Sequence, residues 1–340
     1  MDQKYQGKKI TMAHGSGGKA SSDLISDIFV ATFNNDFLAL LEDQARLDMP
    51  PGKVALTTDS YVVSPLFFNG GNIGKLAITG TVNDLAVSGA KPLYLTCGFI
   101  LEEGFPIETL DVIVKSMQEA AEEAGVKVVC GDTKVVEKGS ADQIFINTAG
   151  VGVIPDGVEI HSTAARVGDK ILVNGYIGDH GATIMQSRAE LAISADIDSD
   201  CQVLNHLVEK ILSVSSNVRS LRDATRGGVA TVLNEIAKDS KVCMILKEQE
   251  LPIRVPTRGV CEILGLDPLY LANEGTLVCV VKAEDAALVL AAMRQTKEGK
   301  NACIIGEVID GPKGVVALET LFGGNKIIDK LTGDQLPRIC

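Results

Sequence analysis

The sequence predicts an α+β protein of two domains, on three observations. At 340 residues the chain exceeds what one hydrophobic core of ordinary size takes up, so two units of roughly 150 residues are expected. In each half, short Val/Ile/Leu-rich runs alternate with segments of helical period, and two of the runs follow each other directly, as strands do in an α+β sheet. A turn-rich stretch, Pro155-Asp-Gly-Val-Glu-Ile-His-Ser-Thr-Ala-Ala-Arg-Val-Gly168, separates the halves. The expected division is a glycine-rich loop and helix over 1–40, an N-terminal domain over 41–154, a C-terminal domain over 165–320 and a flexible tail over 321–340.

Each element has a local reason. The chain opens on a loop, Thr11 to Asp23, that contains His14, Gly15, Gly17, Gly18 and Lys19, and a helical period follows from Leu24 to Leu41. Glycines let backbone N–H groups approach an anion, and Lys19 adds a point charge; the loop reads either as a phosphate cover or as a flexible opening. Lys53 to Val63 reads as a strand that carries Asp59, and Gly74 to Ala90 as a helix that carries Asn83 and Asp84, with stop signals at Gly89 and Pro92. A strand (Leu93 to Leu101), a helix (Ile107 to Ala124), a strand (Val126 to Val129) that ends in a turn Cys130-Gly-Asp132-Thr-Lys134, and a strand (Ile144 to Ile154) complete the half.

The second half begins with a strand from Asp169 to Asn174, a polar turn from Gly175 to Gly181 that opens a helix, and a helix near Val203 to Ser213. Then comes Leu221-Arg-Asp223-Ala-Thr225-Arg-Gly227-Gly228, with a helix to Ala237. The Gly-Gly helix start can hold anions and Asp223 a bridging cation; an ordinary N-cap is the plainer reading. Strands at Val242 to Leu246, Thr276 to Lys282, Ala302 to Ile309 and Gly314 to Leu318 close the domain. In the tail, Gly323 and Gly324 read as a hinge, and a flexible Gly324 to Cys340 would reach on the order of 20 Å.

Composition excludes several functions. The net charge is −12, aromatics make up 4% and Trp is absent, so there is neither a basic face nor a stacking surface for nucleic acid. No apolar run is long enough to span a membrane and the first residues carry no hydrophobic signal core, so the expected location is the cytoplasm. Of eight cysteines five sit inside apolar strand-like runs, as core residues of a reducing compartment do; there is no C-x-x-C pair and the four histidines lie far apart in sequence.

Asp59, Asp84, Asp132 and Asp223 each stand beside Gly, Thr, Ser or Asn near an apolar element. With the Gly-Lys loop and the Gly-Gly helix start they suggest a Mg²⁺–nucleotide site, since oxygen-ligated Mg²⁺ lets an acidic pocket tolerate a triphosphate. The terminal Cys340 is unusual, because an exposed free thiol is a redox liability.

These stretches, His14 to Lys19, Asp59-Ser, Thr81-Val-Asn-Asp84-Leu-Ala-Val-Ser-Gly-Ala, Gly131-Asp132-Thr133, Arg222 to Gly228 and the terminal Pro337-Arg-Ile-Cys340, resemble over nearly the whole chain the HypE family of hydrogenase maturation proteins. That family belongs to the ATP-binding superfamily of aminoimidazole ribonucleotide synthetase (PurM), selenophosphate synthetase and thiamine monophosphate kinase. The resemblance implies a two-domain PurM-like fold with the N-terminal sheet pairing across a homodimer, and ATP near the domain and subunit junction. It implies a carbamoyl group placed on Cys340 by the carbamoyltransferase HypF, its ATP-dependent dehydration to a thiocyanate, and cyanide passed to iron held by HypC and HypD for [NiFe]-hydrogenase.

On that reading Asp59, Asp84, Asp132 and Asp223 are the metal ligands, and Lys19 and Thr225 hold phosphate. His14, Gly15, Gly17, Gly18, Asn83, Thr133, Gly227 and Gly228 complete the ATP site, and Lys134, with Glu274 as partner, is the base or proton relay. Two rival readings use the same residues differently. A small-molecule ATP phosphotransferase would leave Cys340 unexplained, and a nucleotide-gated scaffold carrying metal on one lone thiolate would be a poor carrier.

Overall fold

The structure, a computed structural model, describes residues 5–188 and 195–330. The N-terminal segment is helical from α1 (Lys19–Leu24) through a π-helical stretch, Ile25–Val30, to α2 (Ala31–Phe33), so the helix expected to reach Leu41 ends early. Asn34 takes a left-handed φ of 36° and the side-chain Oδ1 of Asn35 accepts from the N–H groups of Phe37 and Leu38. Two asparagines thus end a helix that apolar spacing alone would have continued.

The N-terminal domain consists of β1 (Lys53–Tyr61), the short hairpin β2 (Phe67–Phe68) and β3 (Gly71–Asn72), α3 (Ile73–Val87), β4 (Lys91–Glu102), α4 (Ile107–Ala124), β5 (Lys127–Val136) and β6 (Ile144–Ile154). Its sheet has the order β1-β6-β4-β5, with β4 and β5 parallel and the other pairs antiparallel. Leu95, Cys97, Phe99 and Leu101 of β4 share a core with Leu76 of α3 and Ile113 of α4. The helices cover one face; Val54, Leu56 and Ile100 are exposed on the other. β5 runs beyond the expected end at Val129, because the twelve-residue β4 gives its backbone a partner as far as Val136. The Gly131 to Lys134 stretch is therefore strand and not turn.

The C-terminal domain contains β7 (Lys170–Val173), α5 (Asp179–Gln186), α6 (Asn205–Val214), β8 (Val218–Asp223), α7 (Gly228–Ser240), β9 (Cys243–Lys247), α8 (Val255–Leu264), β10 (Leu277–Val281), α9 (Ala283–Met293), β11 (Cys303–Ile309), β12 (Val315–Glu319) and β13 (Asn325–Ile327). These strands form one seven-stranded sheet of order β13-β12-β9-β11-β7-β10-β8. Every residue of β10 is buried: Val278 and Val280 join the core of α7, and Leu277, Cys279 and Val281 that of α6 and α9. α3 is nearly all buried because it serves both domains, with Leu76 in the N-terminal core and Ala86 and Val87 packed with Leu204 and Leu207.

The tail begins later than the glycines suggest. Gly323, with φ of 82°, and Gly324 make the turn between β12 and β13, closed by Thr320 N–H to Gly324 O at 2.8 Å and Gly323 N–H to Thr320 O at 2.9 Å. They are no hinge, because backbone bonds fix both. Beyond β13 the Ile328 N–H donates to Val316 O at 2.9 Å, the Tyr270 hydroxyl to Asp329 O at 2.9 Å, and Lys330 Nζ to Glu235 Oε1 at 2.7 Å. Arg338 and Cys340 lie outside the described residues.

Candidate active site at the domain junction

Asn83 holds the junction. Its amide donates to Gln202 O at 3.0 Å and Glu274 O at 3.2 Å, and its carbonyl accepts from Leu204 N–H at 2.8 Å. With the amide committed to backbone of the C-terminal domain, Asn83 braces the site and has little left to offer a nucleotide. One residue on, the side chain of Asp84 points out of the helix to accept from Thr57 Oγ1 at 2.8 Å. The Asp59 carboxylate accepts a long hydrogen bond, 3.3 Å, from the buried Tyr61 hydroxyl and lies 4.0 Å from Arg226 Nη2.

Asp223 closes β8, and Glu274 is buried in the loop before β10. A residue that sequence reasoning missed fixes that loop: Asp200 accepts from Glu274 N–H at 2.9 Å, Gly275 N–H at 3.1 Å and Thr276 Oγ1 at 2.9 Å. In sequence Asp200 looks like one acid in a polar loop, and no side-chain motif marks it. Arg222 and Arg226, inside the Asp223 motif, were also passed over as site residues, although both act electrostatically on Asp84.

Asp59, Asp84, Asp223 and Glu274 form one electrostatic cluster, which Asp132 does not join. Burial pushes Asp223 up to about 7, with repulsion from Asp84 second. Burial also raises Asp59, against the lowering pull of Arg226, and raises Asp84, where Asp59 adds to the effect. Glu274 is pushed well above the carboxylate range by burial, then by Asp200, Asp223 and Asp59, and its Oε1 is buried with no hydrogen-bond partner among the described residues. This excess of buried negative charge with an unpartnered oxygen fits a divalent cation. Among the described residues no three His, Cys, Asp or Glu side chains are close enough to hold a metal by themselves.

Gly227 and Gly228, with φ of 75° and 61°, turn the chain from Asp223 into α7; a Cβ on Gly228 would lie 2.4 Å from Leu269 O and 2.5 Å from Leu271 O. Gly228 N–H donates to Thr225 O at 2.9 Å and no side chain caps the helix, so the next N–H groups, of Val229 and Ala230, face an anion beside Thr225.

The remaining expected residues collect elsewhere. Pairing places Asp59, Thr148, Cys97 and Gly131 in one row across the sheet, so Asp59 and Gly131 stand three strand spacings, about 14 Å, apart. Asp132 accepts from Lys134 Nζ at 2.5 Å, which holds its carboxyl below the usual range, and from Thr133 N–H at 2.8 Å. Within one chain Lys134 therefore pairs with Asp132 and not with the expected Glu274. Asp132 and Lys134 border a cavity of ≈ 360 Å³ with His14, Gly17, Phe29 and Phe99. His14 Nδ1 accepts from Thr11 N–H at 3.0 Å, and Ser21 Oγ braces the glycine loop by donating to His14 O at 2.7 Å. Gly15 is required there, because a Cβ would meet Val135 at 2.9 Å. Gly18 caps α1 and Lys19 starts it, exposed.

The AIR synthase related protein family matches in two parts, its N-terminal domain over residues 41–154 and its C-terminal domain over 166–319. The carbamoyl dehydratase HypE of Azotobacter vinelandii is 52% identical over 331 residues, 97% of each chain. The chain belongs to the HypE family. A crystal structure of the hydrogenase maturation protein HypE in complex with ATP superposes with a TM-score of 0.93 at 48% identity, covering 97% of this chain and 99% of that one. The HypE chain of a HypE–HypF complex gives a TM-score of 0.80 at 50% identity, covering 91% and 99%. HypE membership favours carbamoyl dehydration over the phosphotransferase and scaffold readings. No helix among the described residues is long and apolar enough to cross a membrane.

Proposed function

We propose that the chain is a cytoplasmic homodimer that uses ATP to dehydrate a carbamoyl group carried on its own Cys340. A HypF-type carbamoyltransferase loads the group, and the product cyanide passes to iron held by a HypC–HypD-type complex. The observation that carries the reading is the acid cluster: Asp59, Asp84, Asp223 and Glu274, whose Oε1 has no partner among the described residues, act on one another electrostatically at the end of β8. The seven described cysteines are free, in keeping with a reducing compartment.

The net reaction turns R–S–C(=O)–NH₂ and ATP into R–S–C≡N, ADP and phosphate. The carbamoyl oxygen is a poor leaving group until it is phosphorylated, and two protons must leave nitrogen. Asp59, Asp84 and Asp223 would share Mg²⁺ with oxygens of the triphosphate, whose charge the ion neutralises when bound. Gly227 N–H, the first turn of α7 and the Thr225 hydroxyl offer donors to phosphate, and Glu274, whose carboxyl burial pushes well above the usual range, can exchange a proton at the junction. The glycine loop with His14, Gly15, Gly17, Gly18 and Lys19, together with Asp132, Thr133 and Lys134, serves the same nucleotide from the other copy; Lys134 moves protons with Asp132 as its partner. Apolar Leu56, 77% exposed on edge strand β1, is the contact expected to pair the two sheets.

Cys340→Ala is expected to bind ATP as the parent protein does and to make no thiocyanate. Loss of ATP binding in that variant would contradict a separate carrier thiol.

A further inference from the structure

Glycine is an unfavourable choice at position 80. It lies buried inside α3, where alanine would serve the helix better. A Cβ on Gly80 would collide with the Tyr61 hydroxyl and lie 3.1 Å from the ring carbon that carries it. The gap in α3 thus admits one oxygen atom, although phenylalanine opposite alanine would fill the same space with no polar group to bury. Tyr61, at the end of β1, is 3% exposed. Its hydroxyl lies 3.3 Å from Asp59 Oδ2 and 3.4 Å from Thr81 Oγ1.

The proton on that hydroxyl has a choice of acceptor. Thr148 Oγ1 donates to Ala77 O at 3.2 Å, so the Thr81 hydroxyl, which meets Thr148 Oγ1, donates to it and turns a lone pair toward Tyr61. Tyr61 can therefore donate to Asp59 or to Thr81 at nearly the same distance. Asp59 has a competing partner on its other oxygen: Oδ1 lies 4.0 Å from Nη2 of Arg226, a side chain 72% exposed. Released by Tyr61, the carboxylate can turn to that guanidinium and close an ion pair. A cation would then have to break the pair before Asp59 could bind it.

We infer that Tyr61 is a positioning residue for Asp59: its hydroxyl holds the carboxylate away from Arg226, and moves its hydrogen bond to Thr81 when a divalent cation takes the oxygen. In neither state is the buried hydroxyl left without an acceptor. The inference rests on the Mg²⁺–nucleotide reading of the acid cluster and adds the residue that sets one of its ligands. It places the effect of Tyr61 on cation uptake and leaves the contacts of ATP itself alone.

The test compares the full chain with Tyr61→Phe and with Tyr61→Phe combined with Gly80→Ala, in which a methyl group takes the room of the lost oxygen. ATP affinity is measured by calorimetry in saturating Mg²⁺ and in EDTA, and a thermal midpoint is recorded for each protein. A hydrogen bond to a charged group is removed, so the Mg²⁺-dependent gain in ATP affinity should shrink by about tenfold in both variants, with affinity in EDTA within about twofold of the parent. The double variant should regain thermal stability over Tyr61→Phe without regaining the Mg²⁺ dependence. A parent-like Mg²⁺ gain in Tyr61→Phe overturns the inference. So does an equal fall in affinity with and without Mg²⁺, or a Mg²⁺ gain that returns together with stability in the double variant, because each assigns Tyr61 to packing alone. Equal ATP affinity of the parent protein in Mg²⁺ and in EDTA would instead overturn the Mg²⁺–nucleotide reading.

Discussion

Asn83→Ala removes the brace between the domains without touching an acid. Three hydrogen bonds disappear together, from the Asn83 amide to Gln202 O and Glu274 O and from Leu204 N–H to the Asn83 carbonyl. The partners are backbone groups at a buried junction, so each is left short of a bond as well as losing one. At roughly 1–1.5 kcal/mol apiece the variant should lose about 3–4 kcal/mol. Asn83→Asp should do no better, since it keeps an acceptor for Leu204 N–H but loses both donors and adds charge beside Asp84. Urea unfolding followed by circular dichroism measures the loss. ATP affinity measured on the folded variant should fall with it, because Glu274 O loses its donor, while Glu274 N–H stays on Asp200 and the neighbouring Gly275 and Thr276 stay tied to Asp200, Asn174, Gln202 and Tyr176. A loss below about 1 kcal/mol with parent-like ATP affinity would refute the view that Asn83 assembles the site.

Three other outcomes follow from the same geometry. Asp223 is raised from the ordinary 3.8 to about 7, so its folded form holds a proton that its unfolded form loses earlier. Its cost is absent below about pH 4 and grows as pH rises towards 7, so apo Asp223→Asn should gain stability over the parent at pH 8 and little at pH 4, read from thermal midpoints at each pH. Gly228→Ala should lower the thermal midpoint and weaken ATP binding, because its Cβ would press on two carbonyl oxygens 2.4 and 2.5 Å away. Leu56→Glu should shift the protein to monomer in sedimentation analysis and abolish turnover while each domain stays folded.

How much of this was legible depends on what each residue answers to. Asp59, Asp84 and Asp223 could be found because an acid inside an apolar run calls for a reason, and the Gly-Gly helix start because only glycine takes that backbone. The succession of strands and helices in the N-terminal domain was legible in apolar runs such as Leu93 to Leu101, whereas the sheet order was not. The end of the first helix was hidden because Asn34 and Asn35 act through backbone geometry that periodicity does not register. Gly323 and Gly324 misled for a related reason: a glycine pair serves a tight hairpin turn as well as a hinge, and only the pairing of β12 with β13 decides. Asp200 and Asn83 hold the site through backbone groups more than a hundred residues distant in some cases, which no local pattern reveals. The pairing of Lys134 with Asp132 instead of Glu274 depended on β5 continuing as strand, which places the two side chains at successive positions on one face.

The central claim is that the cluster of acids exists to act on a group carried by Cys340. The direct measurement is the mass of the C-terminal peptide after incubation with the carbamoyltransferase, carbamoyl phosphate and ATP. A thiocyanate on Cys340 that forms with ATP, and stops at the carbamoyl adduct without it, is the predicted result. An unmodified Cys340 under conditions where the carbamoyltransferase is active would contradict it.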